Sequence, residues 1–121
     1  MKQLTKAEEE VMQHLWKLEK AFVKEIIAEM PEPKPAYNTV STIVRILEQK
    51  EFVSYEAFGK SHRYYPLVSK EAYSKFTLKD MVQNYFGGSF KQLVSFFTKE
   101  EQLSVKDIEE LKAIIDKNQG K

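Results

Sequence analysis

Asn38, Thr42, Arg45 and Gln49 recur every three to four residues in the stretch that begins "AYNTVSTIVRIL". On a helix, at about 100° per residue, these four side chains fall on one side. Ser41 lies on one shoulder of that face, and Thr39 and Ile46 lie on the other. Val40, Ile43, Val44 and Leu47 fall opposite, at the i, i+3, i+4, i+7 spacing of a buried stripe. The outward groups are an arginine fork, two carboxamides and short hydroxyls. They suit base edges and phosphates: Arg pairs with guanine, Asn or Gln with adenine, and hydroxyls with either. A helix face turned only to solvent would be richer in Lys and Glu, yet the one acid between Ala36 and Gln49 is Glu48. The stretch from Thr39 to Val44 is built from mediocre helix formers, so tertiary packing must hold it.

Other chemistries lack their parts. The chain has no cysteine and two histidines, and no cluster of acids stands beside either histidine, which argues against a transition-metal site. Serines and threonines are present, but nothing in the sequence sets a base beside one. The four glycines form neither a P-loop nor a dinucleotide fingerprint. The expectation is a protein that is not an enzyme and needs no cofactor or metal.

At 121 residues, 42% hydrophobic and 31% charged, the chain has ordinary globular chemistry and suits one domain or a small domain with an appendage. Cysteine-free composition fits a reducing cytoplasm. The N-terminus lacks an apolar signal core and no run approaches a membrane span, so a soluble cytoplasmic protein without membrane insertion is expected. Net charge is only +1. Between Ala36 and Lys70, Arg45, Lys50, Lys60, Arg63 and Lys70 stand against Glu48, Glu51 and Glu56, a modest local excess of base.

The elements that must position the outward face follow from the flanking sequence. Thr5 and Glu8 fit a capping box that opens a first helix. Leu4, Val11, Leu15 and Leu18 supply its buried side, broadened by Met12 and Trp16. "FVKEIIAEM" (22–30) reads as a second helix, stopped by Pro31, Pro33 and Pro35. The third helix runs to about Lys50. "FVSYEAF" and "HRYYPLV" then read as two strands of a hairpin joined through "GKS". Three helices followed by a hairpin is the plan of a winged helix-turn-helix domain, in which the last helix enters the DNA major groove and the hairpin flanks it. The hairpin brings Lys60, His62 and Arg63 as candidate phosphate contacts.

After Ser69 the pattern is helical again. The fold class expected is therefore mainly α (α+β): a winged helix-turn-helix domain over 1–70 and a helical dimerisation region over 71–121. The second region carries Phe76, Met81, Tyr85 and Phe86, then, past "GGS", Phe90, Leu93, Val94 and Phe97. Ser104 reads as the cap of a last helix whose apolar face includes Ile108, Leu111 and Ile115. About fifty residues cannot bury so many large apolar groups alone, so these residues are expected to pack against a second copy in a two-fold homodimer.

"LTKAEEEVMQHLW" (4–16), "YNTVSTIVRILEQKEFV" (37–53), "RYYPLVSKEAY" (63–73) and "YFGGSFKQLVSFF" (85–97) together resemble the penicillinase repressor family. This family comprises repressors of inducible β-lactamase and methicillin-resistance operons, with copper-responsive relatives. The resemblance implies a homodimeric winged-helix repressor of a palindromic double-stranded DNA operator. It assigns operator reading to Asn38, Thr39, Ser41 and Thr42. It also implies a membrane-bound metallopeptidase sensor as partner, with cleavage of the repressor between Phe96 and Phe97. The sequence departs from the family at Ile46, where an arginine is usual, and at Phe96, where the staphylococcal members carry asparagine. The copper-responsive relatives use a cysteine-rich tail, which this cysteine-free chain does not match. A winged-helix module for protein–protein contact, without DNA, is the alternative that the near-neutral charge favours.

Overall fold

In a computed structural model the backbone is described for residues 1–100 and 105–119, without the side chains of residues 100, 108, 111 and 115–119. The chain divides into two compact units, Met1–Ser74 and Lys75–Lys121.

The first unit holds three helices, α1 (Lys6–Leu18), α2 (Val23–Glu29) and α3 (Tyr37–Gln49), and a small sheet. α1 starts where its sequence says it must. Thr5 accepts the Glu8 N–H, and the Glu8 carboxylate accepts the Thr5 N–H, satisfying two of the unpaired donors at a helix start. Val11, Met12 and Leu15 point into the core, joined there by Ile26 of α2 and by Val40, Val44 and Leu47 of α3. The Leu18 and Trp16 side chains are half-buried. Trp16 donates its indole N–H to the Val68 carbonyl at 2.9 Å.

The sheet is three-stranded, not the two-stranded hairpin that the sequence predicts. β2 (Val53–Phe58) and β3 (Ser61–Pro66) form the wing, and β1 (Ala21–Phe22) pairs antiparallel with β3, in the order β1-β3-β2. Ala21 faces Tyr64, and Phe22 faces Arg63. Two residues show no period of their own, so β1 exists only because β3 offers it an edge. The wing turn is shorter than "GKS": Phe58 already pairs with Ser61, leaving Gly59 and Lys60 to turn. Gly59 takes φ +62°, as a tight hairpin turn requires.

A lysine contact stands on either side of α3. At its C-terminus, Lys50 Nζ lies 2.7 Å from Glu8 Oε1, with side-chain exposures of 24% and 7%. Before it, Lys34 Nζ donates to the carbonyls of Ile27, Ala28 and Met30 at 3.3, 3.2 and 2.6 Å, placing a cation on the C-terminus of α2 as its dipole favours. The opening turn of α4 (Lys70–Tyr85) belongs to this unit through Tyr73, which is buried, accepts the Leu4 N–H at 2.9 Å and meets the rings of Trp16 and Phe52.

The second unit contains the rest of α4 with α5 (Phe90–Glu100) and α6 (Val105–Gln119). Gly87 and Gly88, at φ +60° and +80°, end α4, and the Ser89 hydroxyl accepts the Gln92 N–H to open α5. Val82 and Leu93 are buried. Phe86 meets Phe96 edge-on, and Phe96 meets Phe97 likewise. No helix among the described residues is long and apolar enough to cross a membrane.

Candidate nucleic-acid interface

α3 presents the outward face that its sequence implies. Asn38, Thr39, Thr42, Arg45 and Gln49 are exposed, Ser41 is half-buried, and Val40, Val44 and Leu47 are sealed in the core. Ile43 and Ile46 sit half-buried at the edges of the buried stripe. Arg45 folds back along the helix: its guanidinium donates to the Ser41 hydroxyl at 3.2 Å, and its Nε to the Ser41 carbonyl at 3.4 Å. The two residues thus form one polar unit rather than two independent contacts.

The start of α3 is chemically different from the starts of α1 and α2. α1 has its capping box, and Glu25 accepts the Phe22 N–H at the head of α2. Ala36 offers α3 no side-chain cap, and its first turn contains no acid. Unpaired N–H groups at a helix N-terminus form a natural phosphate cradle.

Beside α3 lies a groove of about 690 Å³ between the helix and the wing, bordered also by the start of α2. Tyr37, Ser41, Arg45 and Glu48 form its helix side. Tyr55, His62 and Tyr64 form the facing sheet surface, with the His62 ring stacked on Tyr55 at 3.9 Å and 9°. Burial, then the nearby Glu48 carboxylate, push the Tyr64 phenol above its ordinary value of 10.0, so it stays a neutral hydrogen-bonding group at physiological pH.

Lys60, His62 and Arg63 do not share one position. Lys60 is exposed in the turn and borders the groove. His62 lies within β3 and faces the groove through its stack. Arg63 is on the opposite face of β3, 3.5 Å from Glu56 and 5.4 Å from the centre of the Phe58 ring. Sequence reasoning missed Tyr37 and Phe58, each 51% exposed and both on the groove. The signal for Tyr37 was its place four residues before Ser41. Phe58 had no signal beyond standing next to the turn glycine.

Of the residues expected to dimerise, Met81, Tyr85 and Phe97 expose 41%, 78% and 36% of their surface. Phe76, Phe86, Phe90 and Val94 are half-buried. Leu93 is already buried within the chain itself. The Ile108, Leu111 and Ile115 side chains and Ser104 lie outside the described residues. Phe96 and Phe97 are in the middle of α5.

The penicillinase repressor family matches residues 4–117 of the chain. The methicillin resistance regulatory protein MecI of Staphylococcus aureus is 32% identical over 95% of this chain and 94% of its own length. The penicillinase repressor of the same species is 28% identical, covering 94% of this chain and 91% of its own. A solved CopR repressor structure shows 36% identity over 56% of this chain and all of its own, with a TM-score of 0.46. A match across nearly the whole chain, together with full-length relatives at this identity, places the protein in the penicillinase repressor family of winged-helix transcriptional repressors.

Proposed function

We propose that the chain represses transcription by binding a palindromic operator as a homodimer, one first unit to each half-site. The observation that carries this reading is the face of α3: exposed Asn38, Thr39, Thr42, Arg45 and Gln49, free of carboxylates until Glu48, leading from an uncapped N-terminus. Side chains at the start of such a helix read base edges, while backbone N–H groups and the wing's Lys60 meet phosphates. The exposed apolar groups of the second unit, Met81, Tyr85 and Phe97 among them, supply the surface that a second copy would cover.

Dimerisation matters to affinity by mass action. Two linked half-site contacts bind far more tightly than one, so separating the protomers would release the operator without altering α3. MecI is by its name a regulator of methicillin resistance, and relief here is assigned to a membrane metallopeptidase sensor acting through cleavage at Phe96–Phe97. Both residues are helical, so a peptidase that needs an extended strand must first open α5 locally. Exposed aromatic side chains on that helix give such a peptidase its handle.

The test is electrophoretic retardation of duplexes that the protein itself selects from a randomised pool, over a range of salt concentrations. The expected result is an inverted-repeat consensus bound at nanomolar-class affinity that falls steeply with salt. Failure to retard any duplex at low salt would refute the reading. An inverted repeat bound equally well by a triple alanine variant at Asn38, Thr42 and Arg45 would remove α3 from recognition.

A further inference from the structure

We propose that Ser41 is a positioning residue for Arg45: it holds the side edge of the guanidinium fork so that the end edge meets a base, and it reads no base itself. The inference rests on the DNA-binding reading above and concerns how the face of α3 divides its work.

A guanidinium offers two donor edges, Nε–H with one Nη2–H at the side and Nη1–H with the other Nη2–H at the end. Ser41 takes the side edge with both of its oxygens: Nε donates to its carbonyl at 3.4 Å and Nη2 to its hydroxyl at 3.2 Å. The end edge keeps its pair of parallel donors, the geometry that matches O6 and N7 of guanine. The lean of helical side chains toward the N-terminus lays Arg45 back over the turn that carries Ser41. Glu48 follows three residues after Arg45 and borders the same groove, at a spacing suited to an ion pair. The guanidinium turns to Ser41 instead, so the serine rather than the carboxylate sets its direction.

Exposure separates the two roles. Arg45 is exposed, whereas Ser41 is half-buried on the shoulder of the face. A long exposed side chain loses rotamer freedom when it is fixed against a base. A tie already made in the free protein removes part of that loss, and this is what Ser41 contributes to affinity. A serine that read a base would act independently of Arg45. A serine that acts through Arg45 has nothing left to do once the guanidinium is gone.

The experiment repeats the duplex selection and the retardation assay with Ser41→Ala, Arg45→Ala and the double variant carrying both, alongside wild type. Ser41→Ala is expected to bind the wild-type-selected duplex about fivefold more weakly, the value of one hydrogen bond. It is expected to relax the preference at the same half-site position as Arg45→Ala. The double variant is expected to bind as Arg45→Ala does, the non-additivity of residues that act as one unit. Alanine is the better helix former, so Ser41→Ala is expected to resist urea at least as well as wild type. Relaxed preference at a different position, losses that add in the double variant, or wild-type binding by Ser41→Ala would overturn the proposal while leaving DNA binding intact. So would an Arg45→Ala that keeps every base preference, or a Ser41→Ala destabilised in urea. A wild-type protein that selects no duplex would instead refute the DNA-binding reading itself.

Discussion

Replacing Lys50 by methionine would strand a carboxylate that the fold has buried. Glu8 and Lys50 are 2.7 Å apart, with side-chain exposures of 7% and 24%. At that distance and an effective dielectric of about 20, the gross attraction is roughly 6 kcal/mol, most of it offset by desolvation. Removing one member of a fully buried pair costs about 3–5 kcal/mol. Water reaches Lys50, so about 2–3 kcal/mol is expected at pH 7, read by urea unfolding at one fixed protein concentration.

The pH dependence makes the test specific. Burial pushes the Glu8 carboxyl up, but the hydrogen bonds and charge of Lys50, with the Thr5 contacts, outweigh it and hold Glu8 below its ordinary value of 4.5. A carboxyl depressed on folding contributes stability above its unfolded pKa, and that contribution is lost as pH falls through the folded pKa. In Lys50→Met only burial and the cap remain, so the carboxyl rises and takes up a proton more readily. The gap between wild type and variant should therefore narrow as pH drops below about 4.5. A gap under about 0.5 kcal/mol at pH 7, the size of an ordinary surface substitution, would refute the reasoning, as would one that is constant down to acid pH.

Three further outcomes are expected. Arg45→Ala should weaken binding of the selected duplex by about 1–3 kcal/mol and relax the preference at one position per half-site, measured by repeating the selection with the variant. Glu51 sits just past α3 at φ +65°, where glycine is the favoured residue, so Glu51→Gly should stabilise the protein by about 0.5–1 kcal/mol in urea unfolding. Lys34→Ala should cost about 0.5–1 kcal/mol in the same assay, because it removes a cation from the C-terminal carbonyls of α2, and high salt should shrink that cost.

The parts of the fold that were legible share one property: their information is local. The α3 stripe repeats over about two turns, the Thr5–Glu8 box closes within four residues, and three prolines stop α2. β1 was illegible because its two residues acquire strand geometry only from Tyr64 and Arg63, some forty residues later. The Glu8–Lys50 pair likewise joins residues 42 apart, and no helix wheel brings them together. For the candidate interface, the wheel separates inward from outward side chains but cannot say what an outward side chain faces. Proximity in sequence places Arg63 beside Lys60 and His62. The alternation of β3 turns its side chain to the other sheet face, against Glu56 and Phe58.

The weak helix formers of α3 make sense once its two ends are compared. Its C-terminal end is locked by the Lys50–Glu8 pair, and its middle by Val40, Val44 and Leu47, each at most 1% exposed. Its N-terminal end has neither cap nor acid. Stability is thus concentrated away from the end assigned to the operator, which leaves that end free to accept a phosphate. Ala36→Asp tests this division directly. Aspartate is a favoured N-cap, and its charge suits the helix dipole, so the free protein should gain about 1 kcal/mol of stability. The same carboxylate would occupy the first-turn N–H groups and repel phosphate, so operator affinity should fall about tenfold or more. Ala36→Ser supplies the cap without the charge and should fall between the two in binding. If Ala36→Asp stabilised the protein and bound the operator as tightly as wild type, the open start of α3 would have no part in DNA recognition.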